Sequence, residues 1–434
     1  MMYTIQVCGS GAREHQLVRS YSGEGRQVIV TPGNDGMKVD GAIVVPGTDL
    51  KDPQSFLRVA QEYKPNLVDV AQDDAIAGGT GDLLRKNGFR VFSPTAQAAR
   101  IESDKEETRN FCARHGIPIP ENQAFDHGDE SSKEFARGLI QKFGSAYFKA
   151  AYLDAGKGVK GASNEAEVNA AYEHMQARPE AAKRFLIEQG LVGEEFSGYY
   201  LVSGNQFRSL GYGQDNKAEF NLGRGDMTGG MSSHAPALVT IGLEDRIENQ
   251  IIKPCVEGLA EEGRPFTGIL YLGGIVDEQG NIYVIEFNCR WGDPENHVIM
   301  PGLLNDYLEL VNAAIDGNLD KVEIKHDNIP RVCVIGATDP YPAKYDKGKK
   351  IWIAEDLVPE GVHFLSAAMK EEGDHNVTAG GRVISSVGKG RHIGDYVGAS
   401  VRAHQGMAAV FFDENLKKQT TDGGINDVLR QLNS

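Results

Sequence analysis

Short apolar runs and amphipathic stretches alternate along the first hundred residues. Apolar runs bounded by polar turns predict buried strands, and stretches with apolar residues three or four positions apart predict helices between them. The predicted strands are Ile5–Cys8, Gln27–Val30, Ala42–Val45, Leu67–Ala71 and Phe89–Phe92. The predicted helices begin near Arg13, cover Asp52–Glu62 and lie near Ala75–Lys86. This alternation predicts an open parallel sheet covered by helices on both faces, with its ligand beyond the carboxyl ends of the strands.

The pattern changes after about residue 100. A charged amphipathic helix is predicted over Ile101–His115, followed by a small α/β unit and then a β-rich region. The other predicted elements are strand Ala146–Ala150, helix Glu165–Ala177, strand Phe185–Glu188, the hairpin of Gly268–Val276 with Ile282–Asn288, helix Leu303–Ile315 and strand Arg331–Ile335. Apolar runs are all much shorter than the roughly 18 residues that a membrane-spanning helix needs.

A chain of 434 residues is too long for one hydrophobic core, so we expect several domains. The predicted fold class is α/β with three domains. The expected domains are an N-terminal substrate-binding α/β domain at 1–100, a central domain at 101–325 with a mobile subdomain at about 119–190, and a small C-terminal α/β domain at 326–434.

The net charge of -16, from 45 basic and 61 acidic residues, argues against a nucleic-acid or anionic-membrane surface. It leaves room for a local basic pocket that binds a phosphorylated small molecule. The five cysteines are dispersed without a C-x-x-C pair, which is typical of reduced thiols rather than of a disulfide framework or a zinc site. The first strand follows the N-terminus directly, without a basic leader or a cleavable apolar stretch, so we expect a cytoplasmic protein.

The segment Val284–Glu295 carries the most specific chemistry of the chain. Alternate side chains of a strand share a face, so Glu286 and Asn288 are expected to project together. A carboxylate and an amide oxygen suit Mg²⁺ bound to a nucleotide's phosphates better than they suit zinc. Arg290 can hold a carboxylate or phosphate with two parallel hydrogen bonds, and Asp293 follows it. Taken alone, the Glu-x-Asn pattern also fits an ordinary strand with a polar end.

A glycine-rich turn at Cys8–His15 joins the first strand to the first helix. Such a turn brings backbone N–H groups to an anion, although a plain tight turn has the same sequence features. Arg13 favours the phosphate site. Glu14 stands where a dinucleotide fingerprint would have its third glycine, and the second strand ends without a ribose-binding acid. The turn therefore argues against a nicotinamide-dependent oxidoreductase.

Further polar segments follow in a suggestive order. Lys149 precedes the glycine loop Ala155–Val159, which suits either a lid over a triphosphate or a surface hairpin. The segment Ile187–Glu195 fits an interdomain hinge that binds adenine and ribose, and it equally fits a charged hairpin. Gln214–Lys217 and Thr228–Met231 bracket a polar loop that could cover a charged intermediate or lie exposed. Each signal is weak alone, and their order before the metal-binding strand gives them weight.

Together these segments resemble the ATP-grasp ligases, and in particular the phosphoribosylamine–glycine ligase (glycinamide ribonucleotide synthetase) family of purine biosynthesis. The similarity runs nearly end to end. The motifs that carry it are G-S-G-A-R-E-H at 9–15, P-G-N at 32–34, F-S-P-T at 92–95, A-R-H-G-I-P at 113–118, A-G-K-G-V at 155–159, G-E-E at 193–195, Q-D-N-K at 214–217, T-G-G-M at 228–231, F-T-G-I-L-Y at 266–271, V-I-E-F-N-C-R-W-G-D-P-E at 284–295, Tyr341-Pro342 and G-G-R-V at 380–383.

The resemblance implies an N-terminal domain ahead of an ATP-grasp domain with a lid, and a C-terminal domain. It implies ATP and Mg²⁺ or Mn²⁺ as cofactors, glycine and 5-phosphoribosylamine as small-molecule substrates, and a monomer without nucleic-acid or membrane partners. Glu286 and Asn288 would hold the metal. The residues it implies for ATP are Lys105, Lys149, Gly156, Lys157, Gly158, Glu188, Leu191 and Glu195. Those implied for catalysis are Arg290, Asp293, Asp215 and Lys217. Of these, Arg290 and Asp293 would orient glycine. Those implied for substrate binding are Gly11, Arg13, Glu14, Gly33, Asn34, Gly229 and Gly230. Of these, Gly11, Arg13, Gly33 and Asn34 would contact phosphoribosylamine.

Several segments depart from the family pattern. The family's G-P-E-A-P-L appears here as Ala71–Ile76, and its K-A-D-G-L as Lys149–Leu153. Its G-P-N before T-G-G-M is replaced by residues 224–227, and its C-terminal R-x-D-I-G by Thr421–Ile425. The ATP and metal motifs are better retained than the segments facing the amine substrate. The alternative interpretation is therefore an ATP-grasp carboxylate–amine ligase of the same architecture that uses a different amino acid or amine.

Overall fold

The computed structural model describes residues 2–154, 158–220, 224–413 and 417–420, with Val428 and Gln431. The N-terminal part is an open parallel sheet of the order β3-β2-β1-β4-β5 with helices between its strands, as predicted. Its elements are β1 Tyr3–Gly9, α1 Ala12–Tyr21, β2 Arg26–Pro32, β3 Ile43–Val44, α2 Pro53–Tyr63, β4 Leu67–Val70, α3 Asp73–Ala77, α4 Thr80–Lys86 and β5 Val91–Phe92.

The strand order of this sheet reverses beside β1, because the chain builds outward from β1 to β3 and then returns to β4 on its other side. The loops that follow β1 and β4 therefore border a crevice at the carboxyl ends of the strands. The helix predicted near Ala75–Lys86 is two helices, since Gly78 and Gly79 interrupt it and Gly79 adopts a φ of +80°.

The helix predicted over Ile101–His115 is also two helices, α5 Arg100–Ser103 and α6 Lys105–Arg114. Asp104 breaks it in an extended conformation and caps α6 by accepting a hydrogen bond from Glu107 N at 3.1 Å. An antiparallel sheet of the order β6-β9-β7-β8 follows, with two helices and its own core around Phe148 and Phe185. Its elements are β6 Asn122–Asp126, α7 Ser132–Phe143, β7 Ala146–Ala150, β8 Val159–Ala162, α8 Glu165–Gln176 and β9 Arg184–Gln189.

One large sheet then runs in the order β14-β13-β10-β11-β12-β15-β20-β17. Its strands are β10 Gly193–Ser203, β11 Gln206–Phe220, β12 Arg224–Ala235, β13 Thr267–Asp277, β14 Ile282–Asn288, β15 Arg331–Thr338, β17 Val362–Ser366 and β20 Arg382–Lys389. The predicted hairpin of β13 and β14 is confirmed. The polar loop predicted between Gln214 and Met231 is wrong for the described residues, because these residues lie on the paired strands β11 and β12. Alternating polar residues hid the strand character of this stretch.

The C-terminal strands β15, β20 and β17 extend the same sheet. A smaller sheet of the order β18-β19-β16-β21 covers it on one side, formed by β16 Lys350–Ile353, β18 Met369–Glu372, β19 His375–Thr378 and β21 Val410–Phe412. The remaining elements are α9 Glu244–Ile247, α10 Lys253–Glu261, α11 Asn296–Ile299, α12 Tyr307–Ile315, α13 Tyr396–Ala408 and β22 Lys417–Lys418. Helix α12 begins later than the predicted Leu303, because Asp306 caps it through Leu308 N. In the described part of the chain, the helices are all too short or too polar to cross a membrane.

Candidate active site

A cleft of about 460 Å³ lies where the N-terminal crevice, the end of β14 and the C-terminal strand β20 approach one another. The sequence-predicted residues that line it are Gly11, Arg13, Glu14, Lys105, Gly158, Gly229, Glu286, Asn288, Arg290 and Asp293. Those that lie outside its lining are Gly33, Asn34, Lys149, Glu188, Leu191, Glu195, Asp215, Lys217 and Gly230. Gly156 and Lys157 fall outside the described residues. The cleft thus joins the glycine-rich turn after β1 to the end of β14, the strand predicted to bind the metal.

Glu286 and Asn288 project from β14 to the same wall of the cleft, as the two-residue period predicts. Asn288 Nδ2 lies 3.3 Å from Glu286 Oε1, so the two side chains lie side by side. Burial alone would raise the pKa of Glu286, but Lys217, Lys105 and Arg290 outweigh it and hold this pKa below its ordinary value. The result is an anionic carboxylate that faces Asn288 Nδ2, while Asn288 Oδ1 accepts a hydrogen bond from Arg290 Nη2 at 3.1 Å.

The oxygens of Glu286 and Asn288 fit a hard divalent cation. Among the described residues, groups of three or more His, Cys, Asp and Glu side chains arranged to hold a metal are absent. Mg²⁺ in nucleotide sites typically takes one or two protein oxygens and completes its shell with phosphates and water. The donor set of Glu286 and Asn288 matches that pattern.

Arg290 is fixed at the floor of the cleft by an acid that the sequence did not point to. Its Nε lies 3.2 Å from Glu102 Oε1, and its Nη2 donates to Asn288 Oδ1 at 3.1 Å. Burial raises the pKa of Glu102, although the positive charge of Arg290 acts to lower it. Glu102 Oε2 also accepts a hydrogen bond from Cys289 N at 2.7 Å, which ties helix α5 to the end of β14. Arg290 is therefore oriented before any ligand binds.

The glycine-rich turn is held by Glu14. The Glu14 carboxylate accepts a hydrogen bond from Gly11 N at 2.6 Å and pairs with Arg13 Nε at 2.5 Å. A Cβ on Gly9, whose φ is +147°, would lie 2.5 Å from Glu14 Cγ, so only glycine fits there. Arg13 then reaches across the cleft, and its Nη1 donates to Trp291 O at 3.3 Å. The predicted ligand Glu14 thus supports the turn while it lines the cleft.

Gly33 and Asn34 lie behind this turn. Asn34 Nδ2 donates to Ser10 O at 2.8 Å and to Ser366 O at 3.1 Å, and Ser366 Oγ donates to Asn34 Oδ1 at 2.6 Å. Gly33 adopts a φ of +63°, the left-handed conformation that favours glycine. In this structure Asn34 therefore connects the N-terminal turn to the C-terminal strand β17.

Asp293 and Arg382 form an ion pair at the C-terminal side of the cleft. Arg382 Nη1 lies 3.1 Å from Asp293 Oδ1 and donates to Gly229 O at 2.7 Å. Burial would raise the pKa of Asp293, but Arg382, His297 and Arg13 hold it below its ordinary value. The G-G-R-V motif was visible in the sequence, but its distance along the chain gave no indication that Arg382 would meet Gly229 and Asp293.

Lys105 lines the cleft, and burial is the main cause that lowers its pKa. Lys149 lies nearby but pairs with Glu188 at 2.7 Å. Arg109 also donates to Glu188, from Nε at 2.6 Å and from Nη2 at 3.0 Å. Burial would raise the pKa of Glu188, yet the two cations lower it to about 2. The structure therefore places Glu188 as the buried partner of Arg109 and Lys149, with its carboxylate turned to them.

Asp215 and Lys217 lie on β11, near the metal strand but outside the lining of the cleft. Their charged groups are 3.6 Å apart, and Asp215 raises the pKa of Lys217 well above its ordinary value. Burial raises the pKa of Asp215, and the charges of Glu195 and Glu286 act in the same direction. Glu195 is exposed at the start of β10 and Leu191 precedes that strand. These charged residues extend the cluster of interacting charged side chains that includes Glu286.

The chain matches the three domain models of one family in chain order. These are the phosphoribosylglycinamide synthetase N domain at residues 3–102, its ATP-grasp (A) domain at 103–296 and its C domain at 331–417. The phosphoribosylamine–glycine ligase of Salmonella typhimurium strain LT2 is 34% identical over 436 residues, which covers 99% of this chain and 100% of the relative. The enzyme of that name from Xylella fastidiosa strain Temecula1 is 34% identical over 98% of this chain and 99% of the relative.

Solved structures give the same picture. The phosphoribosylamine–glycine ligase of Thermotoga maritima superposes with a TM-score of 0.78 at 27% identity, covering 96% of this chain and 99% of that one. The biotin carboxylase domain of the Hydrogenobacter thermophilus 2-oxoglutarate carboxylase superposes with a TM-score of 0.74 at 15% identity, covering 96% and 92% of the two chains, and shows the fold alone.

The fold and these matches define an ATP-grasp enzyme with three domains. Such enzymes are carboxylate-activating ligases with ATP and a divalent metal as their general requirements. Within that class, the chain belongs to the phosphoribosylglycinamide synthetase family.

Proposed function

We propose that this protein is an ATP-dependent ligase that joins glycine to 5-phosphoribosylamine and forms glycinamide ribonucleotide in de novo purine biosynthesis. One observation carries the proposal beyond family membership. Arg13 of the N-terminal turn and Arg290 beyond the metal strand both donate to the carbonyl oxygen of Trp291, at 3.3 and 3.2 Å. A cation suited to a phosphorylated amine thus lies beside a cation suited to a carboxylate.

The proposed reaction has two steps. A glycine carboxylate oxygen attacks the γ-phosphorus of ATP, the bond from this phosphorus to the bridging oxygen of ADP breaks, and glycyl phosphate forms. The amine of phosphoribosylamine then attacks the acyl carbon, the bond from this carbon to the phosphate oxygen breaks, and the amine loses a proton. Activation is needed because an oxide ion is a very poor leaving group, whereas phosphate is a good one. The protein contributes positioning and charge neutralisation.

The residues of the cleft divide these tasks. Glu286 and Asn288 would hold Mg²⁺ or Mn²⁺, which when bound neutralises charge on the phosphates of ATP. Lys105 would contact those phosphates, with Gly158 and the loop of Gly156 and Lys157. Arg290, oriented by Glu102, would hold the glycine carboxylate. Arg13 and the N–H groups near Gly11 would bind the phosphate of phosphoribosylamine.

The other assignments remain part of the proposal. Lys149, Glu188, Leu191 and Glu195 would serve the nucleotide, and a ribose contact by Glu188 requires one of its present ion pairs to open. Asp215 and Lys217 would act beside Glu286. Asp293, Gly229 and Gly230 would border glycine, with Gly33 and Asn34 supporting the amine-binding turn. We also propose the domain bounds 1–100, 101–325 and 326–434, a monomeric state and a cytoplasmic location.

A second candidate function is supported by Asp73. This residue begins α3 in the segment that departs from the family pattern, and it lines the cleft. Burial would raise its pKa, but Arg290 and Arg13 hold that pKa below its ordinary value, so the carboxylate is anionic near both arginines. An anion there competes with a substrate phosphate. This observation favours an ATP-grasp ligase of the same mechanism with a different amino acid or amine.

The test is ADP release from Mg-ATP with glycine present and phosphoribosylamine generated in situ. Each component is omitted in turn, and other amino acids and amines replace glycine and phosphoribosylamine. Turnover that requires both named substrates supports the proposal. Turnover that requires another carboxylate or amine, and not this pair, supports the second candidate. Absence of ATP turnover with every pair contradicts both.

A further inference from the structure

A chain of buried side-chain contacts leads to Trp291, which follows the cleft residue Arg290 in the sequence. It joins Asp69 on β4, Tyr21 at the end of α1, Tyr307 at the start of α12 and Trp291 beyond β14, all of them at most 4% exposed. Tyr21 Oη donates to Asp69 Oδ2 at 2.7 Å, and Trp291 Nε1 donates to Tyr307 Oη at 3.0 Å. The two tyrosine rings pack against each other, with their centroids 5.0 Å apart and an angle of 58° between their planes.

The hydrogen bond at each end of this chain has a known direction. An indole N–H can only donate, so Tyr307 accepts from Trp291, and Tyr21 donates to Asp69. The packed rings of Tyr21 and Tyr307 join the two bonds. Tyr199 stacks on the indole at a centroid distance of 4.8 Å, so Trp291 is fixed by both an edge contact and a face contact.

The backbone of Trp291 faces the cleft from this fixed position. Its carbonyl oxygen accepts hydrogen bonds from Arg13 Nη1 at 3.3 Å and from Arg290 Nη1 at 3.2 Å. Two guanidinium groups from distant segments thus converge on one acceptor. The separation of these two cations depends on where the carbonyl lies, and the carbonyl lies where the indole is held.

We infer that Asp69, Tyr21 and Tyr307 are positioning residues that set the placement of Arg13 and Arg290 through Trp291. The inference rests on the proposed function only in naming what the arginines bind, which is the phosphorylated amine for Arg13 and the amino-acid carboxylate for Arg290. Lys105, the residue proposed to meet the ATP phosphates, lines the same cleft, but the donors to Trp291 O are Arg13 and Arg290. Loss of the contacts to Trp291 is therefore expected to weaken binding of the phosphorylated amine and of the amino acid, and to leave binding of ATP unchanged.

The test uses the variants Tyr307→Phe and Tyr21→Phe in a Trp352→Phe background. Trp352 is 48% exposed and is the other tryptophan of the chain, so its replacement leaves Trp291 as the single indole fluorophore. Tyr307→Phe removes the acceptor of the indole N–H, so Trp291 emission shifts to shorter wavelength. Loss of one such hydrogen bond corresponds to a roughly two- to tenfold rise in KM for phosphoribosylamine and for glycine. The KM for ATP stays at the value of the background protein.

Tyr212→Phe is the matched control. It breaks a different buried tyrosine hydrogen bond, of 2.5 Å between the hydroxyls of Tyr212 and Tyr200, and this bond does not involve Arg13 or Arg290. This control leaves all three KM values and the emission unchanged. Equal changes in all three KM values, or Tyr307→Phe emission at the position of the background protein, overturn the inference. Failure of the proposed function is a distinct result. In that case the background protein itself shows no turnover with these substrates. The emission then still reports whether Tyr307 holds Trp291.

Discussion

Arg382 and Asp293 form an ion pair of 3.1 Å that joins the C-terminal strand β20 to the segment beyond the metal strand. The same guanidinium donates to Asp293 O at 2.9 Å and to Gly229 O at 2.7 Å. One side chain therefore holds the proposed glycine-binding acid and the glycine pair of β12 in one arrangement. The C-terminal domain contributes to the cleft through this residue.

Replacement of Arg382 by alanine is expected to lower kcat/KM by about 10- to 100-fold, because charge-assisted hydrogen bonds contribute roughly 1.5–3 kcal/mol. Arg382→Lys keeps the charge but not the fork of donors, and we expect only partial recovery. Steady-state kinetics with each substrate varied in turn measure the effect. Arg391→Ala, at an exposed position soon after β20, is the control and is expected to behave as wild type. Full activity in Arg382→Ala would show that the ion pair is dispensable.

The Glu286→Gln variant is expected to lose metal-dependent turnover by on the order of a hundredfold or more, because a carboxylate ligand is replaced by a neutral amide. The fold should persist, since Gln occupies nearly the same volume. Titration of turnover with Mg²⁺ and with Mn²⁺ at saturating ATP gives the apparent metal affinity. Glu278→Gln, in the exposed turn between β13 and β14, serves as the comparison. An unaltered metal titration would reject Glu286 as a ligand.

The strand periodicity of Val284–Asn288 was sufficient to predict that Glu286 and Asn288 share a face, since the alternation of side chains is a local property. The parallel N-terminal sheet was predictable for a similar reason, because its strands are buried on both faces and read as short apolar runs. Contacts between distant segments were not predictable. Glu102 meets Arg290, and Arg382 meets Gly229, only because the sheet brings these segments together.

Arg13→Ala is expected to raise the KM for the phosphorylated amine by about 10- to 100-fold and to leave the KM for ATP nearly unchanged. The physical reason is the loss of a charge-assisted contact to phosphate, which contributes roughly 1.5–3 kcal/mol. Initial rates with each substrate varied at saturation of the others provide the measurement. Arg58→Ala, whose side chain is 67% exposed on α2, is the charge-matched control. Equal increases in both KM values would argue against a phosphate-binding role.

Glu188→Gln is expected to destabilise the protein by about 3–5 kcal/mol, because it leaves the buried cations Arg109 and Lys149 without their anionic partner. Chemical unfolding followed by circular dichroism measures the loss. Glu165→Gln is a matched control, because Arg137 also donates two hydrogen bonds to the Glu165 carboxylate, both of 2.7 Å. This pair lies on the solvent-exposed surface. We expect a far smaller effect there. Similar losses in the two variants would mean that burial does not govern the contribution of this pair.

Asp69 is expected to make stability depend on pH. Burial raises the pKa of Asp69 to about 7 from an ordinary value of 3.8, against the opposing hydrogen bond from Tyr21. At pH values between 3.8 and about 7, Asp69 is therefore protonated in the folded state and ionised in the unfolded chain. The contribution of Asp69 to stability is greatest below about pH 4 and is lost as the pH rises through about 7. This loss amounts to on the order of 2–3 kcal/mol between pH 5 and pH 8.

The comparison of wild type with Asp69→Asn isolates this effect. Asparagine still accepts the hydrogen bond from Tyr21 but does not ionise in this range, so its free energy of unfolding should fall less from pH 5 to pH 8 than that of wild type. The buried histidines His234 and His297 have the opposite effect, because burial lowers their pKa from 6.5 to about 4 in the folded state. Stability therefore rises with pH between these values, where the unfolded chain releases the proton that the folded state has already lost. They are present in both proteins, so their contribution cancels in the difference. Parallel pH profiles for the two proteins would show that the Asp69 carboxyl titrates near its ordinary pKa despite its burial.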